Sequence, residues 1–149
     1  MNALAVLPAF SAYVASVVVL GLNLVGLANA TALTRSKASE VINPEDMKLN
    51  SKASVVYDGG NDRTARYRRA HRNALENTPV FMITALVLTL MGVSATIGAA
   101  LFYPYAGLRI LHSVFYVKGI QPFRTMAFAL ALLIQVVVLG FIAYYTFAS

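Results

Sequence analysis

Two long stretches of this chain carry no charged side chain: residues 1–34 and residues 77–108. About 20 apolar residues span the hydrocarbon of a bilayer. The first stretch is therefore ample for one tilted helix. The second is too long for one straight span, and Gly92-Val93-Ser94 offers a tight turn that divides it. A third uncharged stretch follows Arg124 to the C-terminus. A chain built this way has to solve the backbone hydrogen-bonding problem of lipid, and helices solve it within one segment.

The remaining composition fits. Only 12% of residues are charged and 58% are hydrophobic, where a soluble domain carries about 25% charge. Of 18 charged side chains, 15 lie between Arg35 and Glu76, and the others are Arg109, Lys118 and Arg124. The expected class is an all-α integral membrane protein, one domain over 1–149, with a single polar side. The net charge of +6 follows from basic loops kept on the cytoplasmic side. A polyanionic ligand is a second source of that charge. No nucleic-acid-binding pattern is visible, so no nucleic-acid partner is expected. There is no cysteine, which excludes disulfides, thiol catalysis and cysteine metal sites in the chain itself. No metal site is expected.

In chain order, helices are expected at about 5–34, 63–91, 95–117 and 122–145, with a polar loop at 35–62. The first resembles a signal peptide only at Ala28-Asn29-Ala30; it lacks a basic leader and is too long. Asn23 in that helix suits an interhelical hydrogen bond, with a ligand role as the alternative. Gly26 and Ala30 suit close helix packing. Asn43-Pro44-Glu45-Asp46 reads as a helix start, with Pro at the first position and acids in the first turn. Lys48–Asp62 reads as a flexible connection, with Asn61 or Asp62 capping the next helix. Pro79 and Pro104 should kink helices two and three. The basic segments 35–76 and 118–124 must share one side. That gives a four-transmembrane-helix bundle, with polar loops in the cytoplasm and both termini on the opposite side. A bacterial inner membrane is the expected location.

All four helices bring polar groups to the cytoplasmic end. Arg69, Arg72, Asn73 and Glu76 follow the i, i+3, i+4, i+7 rule and share one face of helix two. Arg109, His112 and Tyr116 do the same on helix three. Arg35 ends helix one, and Arg124 and Thr125 begin helix four. Ionisable groups at the mouth of membrane helices are expensive to desolvate and so mark a candidate functional site. Alternatives stand beside that reading. Arg109 is either a snorkelling anchor or a ligand contact. Glu76 either accepts from a ligand ammonium or pairs with Arg72. The whole set is either an internal ion-pair network or an anion site. Arginines greatly outnumber acids at these helix ends. A small zwitterion with excess carboxylate, held by bidentate guanidinium forks, would balance them.

Arg69-Ala70-His71-Arg72-Asn73, followed by Glu76, resembles the signature of the MAPEG family, the membrane-associated proteins in eicosanoid and glutathione metabolism. Arg35 with Asn43-Pro44-Glu45-Asp46, Arg109-x-x-His112-x-x-x-Tyr116, and Pro122-x-Arg124-Thr125 match in spacing and order, so the resemblance covers nearly the whole chain. Within the family the likeness is to the prostaglandin-E-synthase branch and its bacterial relatives. The resemblance implies a homotrimer with glutathione bound between subunits at the cytoplasmic end. Carried over by position, its contacts are Arg35, Arg72, Asn73, Glu76, His112, Tyr116, Arg124 and Thr125, with Arg69 and Arg109 nearby. Arg124 would hold the glutathione sulfur as thiolate, with Thr125 supplying a hydroxyl where the synthase has a serine. Asp46 matches an acid paired with that arginine. Two positions depart from the synthase pattern: Phe128 stands where it has a tyrosine, and the 118–124 loop is one residue shorter.

The implied activity is a glutathione-dependent transferase or peroxidase acting on lipophilic electrophiles or hydroperoxides from the bilayer, entering between helices one and four, with isomerase activity also open. The competing class is a lipid-presenting protein of the same fold without chemistry. A pore would place polar residues through the whole bilayer depth. Here they stop at one end.

Overall fold

The computed structural model describes residues 7–57 and 59–148. Four helices dominate it: α1 (Phe10–Lys37), α2 (Asp62–Leu90), α3 (Ala95–Lys118) and α4 (Phe123–Phe147). The expected start of helix one near residue 5 lies outside the described residues. Its end extends past the expected residue 34 to Lys37. The other bounds follow recognisable signals. Asn61 caps α2, its side chain accepting from the amides of Arg63 and Thr64 at 3.1 Å each. Ser94 caps α3 by accepting from Ile97 N. Gly119 ends α3 in the left-handed conformation (φ 70°), and the Ile120 amide reaches back to Phe115 O at 2.9 Å. That is the glycine-terminated helix end in which a Cβ would be strained. The helices run on through Pro79 and Pro104.

Among the described residues three helices, α1, α2 and α4, are long and apolar enough to cross a membrane. The protein is an integral membrane protein by that criterion and by its exposed apolar faces. Leu22, Val25, Ile83 and Leu133 are all more than half exposed. The sequence reading also counts α3. That helix has the length of a span, about 36 Å at 1.5 Å per residue, but Arg109, His112 and Ser113 dilute its apolar character.

α1 packs on α2 and α3, and α4 packs on α3 and α2, whereas α1 and α4 do not touch. The core lies mainly at the end away from the charged loops. There Phe81 stacks on Tyr105 at 3.6 Å and meets Phe102 edge-on, with Leu20, Leu88, Val93 and Val138 buried around them. At the charged end the buried apolar cluster shrinks to Leu27, Ala70 and Ala74. Small side chains there bring α2 close to its neighbours and leave the polar groups in charge of that end.

Two sequence expectations need correction. The Lys48–Asp62 connection is not simply flexible. Glu40–Val41 (β1) pairs in parallel with Ser54–Val55 (β2). The Glu40 carboxylate, on β1, also accepts from the Asn61 amide and side chain at 2.9 and 3.1 Å, tying the loop to the start of α2. Pro44–Lys48 forms a single short 3-10 turn with Pro44 at its head, because the chain must turn back for the β pairing before a longer helix can grow. Gly26 and Ala30 seat no helix of this same chain among the described residues. Gly26 has no neighbour within 4 Å of where its Cβ would lie, and both residues face an open trench between α1 and α3. Asn23 does make the expected interhelical bond, donating to Ser113 Oγ of α3 at 3.1 Å.

Candidate functional site

The polar groups at the charged end fall into two sets. The first sits at the corner where α3 ends and α4 begins. His112, buried on α3, bonds through Nδ1 to the Arg124 carbonyl at 3.0 Å. The bond falls on a carbonyl of the first turn of α4, and it ties α4 to α3. The Arg124 guanidinium lies over the Tyr116 ring, 4.7 Å from its centroid, a cation–π contact. Gln121 completes the corner. With its amide oriented to satisfy both neighbours, it donates to Thr125 Oγ1 at 3.1 Å and accepts from Arg124, with Nε at 3.2 Å. Arg124 is thus aimed by an aromatic face and an amide, and no carboxylate neutralises it among the described residues. His112 also meets Phe128, ring centres 5.7 Å apart.

The second set is on α2 and its contact with α3. Arg109 is 1% exposed, so it does not snorkel. Its Nη2 donates to the Asn73 backbone oxygen at 3.1 Å and to Asn73 Oδ1 at 2.8 Å. Charge-assisted bonds of this kind are the stronger ones. They fix the Asn73 amide so that its nitrogen points away from Arg109. Asn77 and Tyr105 continue the seam, Asn77 donating to Asn73 O at 2.8 Å and Tyr105 to Asn77 O at 3.3 Å. On the outer face Arg72 Nε pairs with Glu76 Oε1 at 3.2 Å, the two side chains 81% and 57% exposed. An exposed i,i+4 pair of this sort contributes about 0.5 kcal/mol or less, so it is readily exchanged for a ligand. Arg69 is exposed beside Arg72 and lines a shallow cavity with Arg68. A cleft of about 120 Å³ runs from Glu76 past Arg109 and Phe128 to Gln135 on the α2–α4 side.

Arg35 and Asp46 stand apart. Arg35 lines a separate cavity of about 100 Å³ with Glu40, Thr64 and Arg68, on the α1–α2 side. Asp46 lies in the 3-10 turn of the loop, and no contact joins it to Arg124 among the described residues. The α1 and α4 backbones make no close approach within one chain.

Two contributors were not anticipated. Gln121, which orients Arg124 and Thr125, sits in a short loop with no periodicity to flag it. Gln135, buried on α4, donates to Thr84 of α2 at 3.0 Å. As the one amide in the uncharged stretch after Arg124, it carried a readable signal.

Known proteins share this arrangement of sequence. The MAPEG family model matches residues 11–144. The chain is 33% identical over 105 residues to microsomal glutathione S-transferase 1 of Homo sapiens, covering 68% of each chain. It is 34% identical over 107 residues to the protein of that name from Sus scrofa, covering 70% of this chain and 69% of the relative. With the Mus musculus protein it shares 32% identity over 129 residues, 83% of this chain and 79% of the relative.

Proposed function

The chain belongs to the MAPEG family, and from that premise we propose that it is a membrane-bound glutathione transferase acting on lipophilic electrophiles. The observation that carries the reading is the α3–α4 corner. Arg124 is held there by Tyr116 and Gln121 without a neutralising carboxylate. A fixed cation favours the charged form of a thiol, so glutathione sulfur placed against Arg124 is activated as thiolate, with Thr125 as a hydroxyl donor. The names of the relatives support the transferase. Peroxidase action and prostaglandin-E-synthase-like isomerase action would use the same thiolate, and they rest on the sequence resemblance alone.

In this proposal Arg72 releases Glu76 to bind a glutathione carboxylate while Glu76 takes the ligand ammonium. Asn73, held by Arg109, offers its amide N–H, and Arg69 adds positive charge. The proposal counts α3 as a fourth span and sets all these groups at the cytoplasmic face, as an excess of basic residues on that side favours. Arg35 completes the cluster from a second subunit, because within one chain α1 lies away from α4. A homotrimer is the assembly the resemblance implies, and the electrophile then enters from lipid between α4 of one subunit and α1 of the next. Thiolate attack forms the carbon–sulfur bond and expels the leaving group. Holding the two reactants together supplies much of the rate.

Conjugation of glutathione to an aryl halide by the detergent-purified protein tests this. Saturable turnover that disappears in Arg124→Ala is expected. Glutathione binding without turnover on any electrophile would favour the lipid-presenting alternative.

A further inference from the structure

A second, larger cavity among the described residues is remote from the α2–α4 cleft. It is an open trench of about 690 Å³ between α1 and α3, walled by Val19, Leu22 and Ala30 on one side and Ile110, Val114 and Val117 on the other. Gly26 forms part of its floor, with open space where a Cβ would lie. From Val19 to Ala30 the α1 wall runs eleven residues, roughly 16 Å at 1.5 Å per residue, the length of an extended acyl chain.

The trench is not uniformly apolar. Its floor carries the Asn23–Ser113 pair, 3.1 Å apart. Its cytoplasmic mouth carries Tyr67 and Lys118. The Arg66 guanidinium lies against Gly119, in the space a Cβ there would fill, which brings it from α2 to the same corner as Lys118. Neither Arg66 nor Lys118 has an acidic partner or a hydrogen bond among the described residues. Ser113 lies five residues, about 7 Å, below Lys118, which is where the ester carbonyls of a glycerolipid follow its phosphate. Tyrosine at this depth suits the membrane interface.

We propose that the α1–α3 trench binds an anionic glycerophospholipid, one acyl chain along the trench and the phosphate between Arg66 and Lys118. Two unpaired cations above an apolar slot match an anionic headgroup above a hydrocarbon tail. The site is separate from the glutathione reading and does not depend on it.

Native mass spectrometry of the intact assembly, purified in detergent and supplied with phosphatidylglycerol or phosphatidylcholine of identical chains, tests the site. Wild type should retain phosphatidylglycerol about twenty-five-fold better, the product of the roughly fivefold each basic side chain contributes beside an anionic headgroup. The double variant Arg66→Gln/Lys118→Gln should lose the preference while keeping glutathione turnover. Gly26→Leu, which fills the trench, should lose retention of both lipids. Equal retention by wild type, or an unchanged preference in the double variant, would overturn the proposal. So would a Gly26→Leu protein whose assembly dissociates with no change in bound lipid, which would make the trench a contact between chains. The double variant alters partly exposed side chains only, so it decides the matter even where Gly26→Leu fails to fold.

Discussion

The two ends of the polar face are built differently. At the α3–α4 corner each group is held by another from the same chain: His112 by the Arg124 carbonyl, Arg124 by Tyr116 and Gln121, Thr125 by Gln121. On the α1 side, Arg35 and Asp46 are held by nothing that connects them to that corner, although they sit at the same end of the bundle. One chain thus assembles the half that would carry the chemistry. The half that would add charge is left facing outward. The difference separates groups that must be aimed from groups that need only be near.

The largest effect should come from the aimed half. Arg124→Ala is expected to lower kcat for glutathione conjugation about 100-fold or more, the scale on which loss of one transition-state charge partner is felt. Steady-state kinetics on an aryl halide measures it. The same change should move the pH midpoint of bound-thiol ionisation upward, toward the ordinary cysteine-like value of about 8.5. The sign follows from the cation, which stabilises the thiolate and so extends it to lower pH in wild type. Next is Arg109→Met. Removing a buried arginine that makes two bonds to Asn73 should destabilise the protein by about 3 kcal/mol, read as a lower thermal midpoint in detergent. Arg109→Met should also raise the KM for glutathione through the unfixed Asn73.

The outward half should respond differently. Arg35→Glu should raise the KM for glutathione about tenfold with a smaller change in kcat, the pattern of lost uniform binding. Co-assembling Arg35→Glu chains with Arg124→Ala chains sharpens the contrast. If the site draws on two subunits, mixed assemblies contain intact sites and recover activity. If it lies within one chain, they recover none. The smallest effect belongs to the Arg72–Glu76 pair. Glu76→Gln should leave the unfolding free energy within about 1 kcal/mol of wild type, as exposed pairs do, while weakening glutathione several-fold in a binding titration.

Much of this was legible in the sequence, for identifiable reasons. The uncharged runs set the helices, and Asn61 and the Gly92-Val93-Ser94 turn set two of their ends, because caps and turns act through neighbouring backbone alone. Depth was legible too. Arg35, Arg72, His112 and Arg124 all had to lie at one end, since charge stays near water. Azimuth was not. Periodicity puts Arg109, His112 and Tyr116 on one face of α3 without saying which element that face meets. Burial of Arg109 against Asn73 and the separation of Arg35 from Arg124 are therefore tertiary facts. The β1–β2 pairing escaped because two-residue strands carry no periodic signal.

The central claim is that Arg124 turns bound glutathione into a thiolate. The most direct measurement is the ultraviolet difference spectrum of the detergent-solubilised protein mixed with glutathione near neutral pH, wild type beside Arg124→Ala. The account predicts thiolate absorbance in wild type and much less in the variant at equal glutathione occupancy. Equal thiolate signals in the two proteins, or none in a wild type shown to bind glutathione, would contradict it.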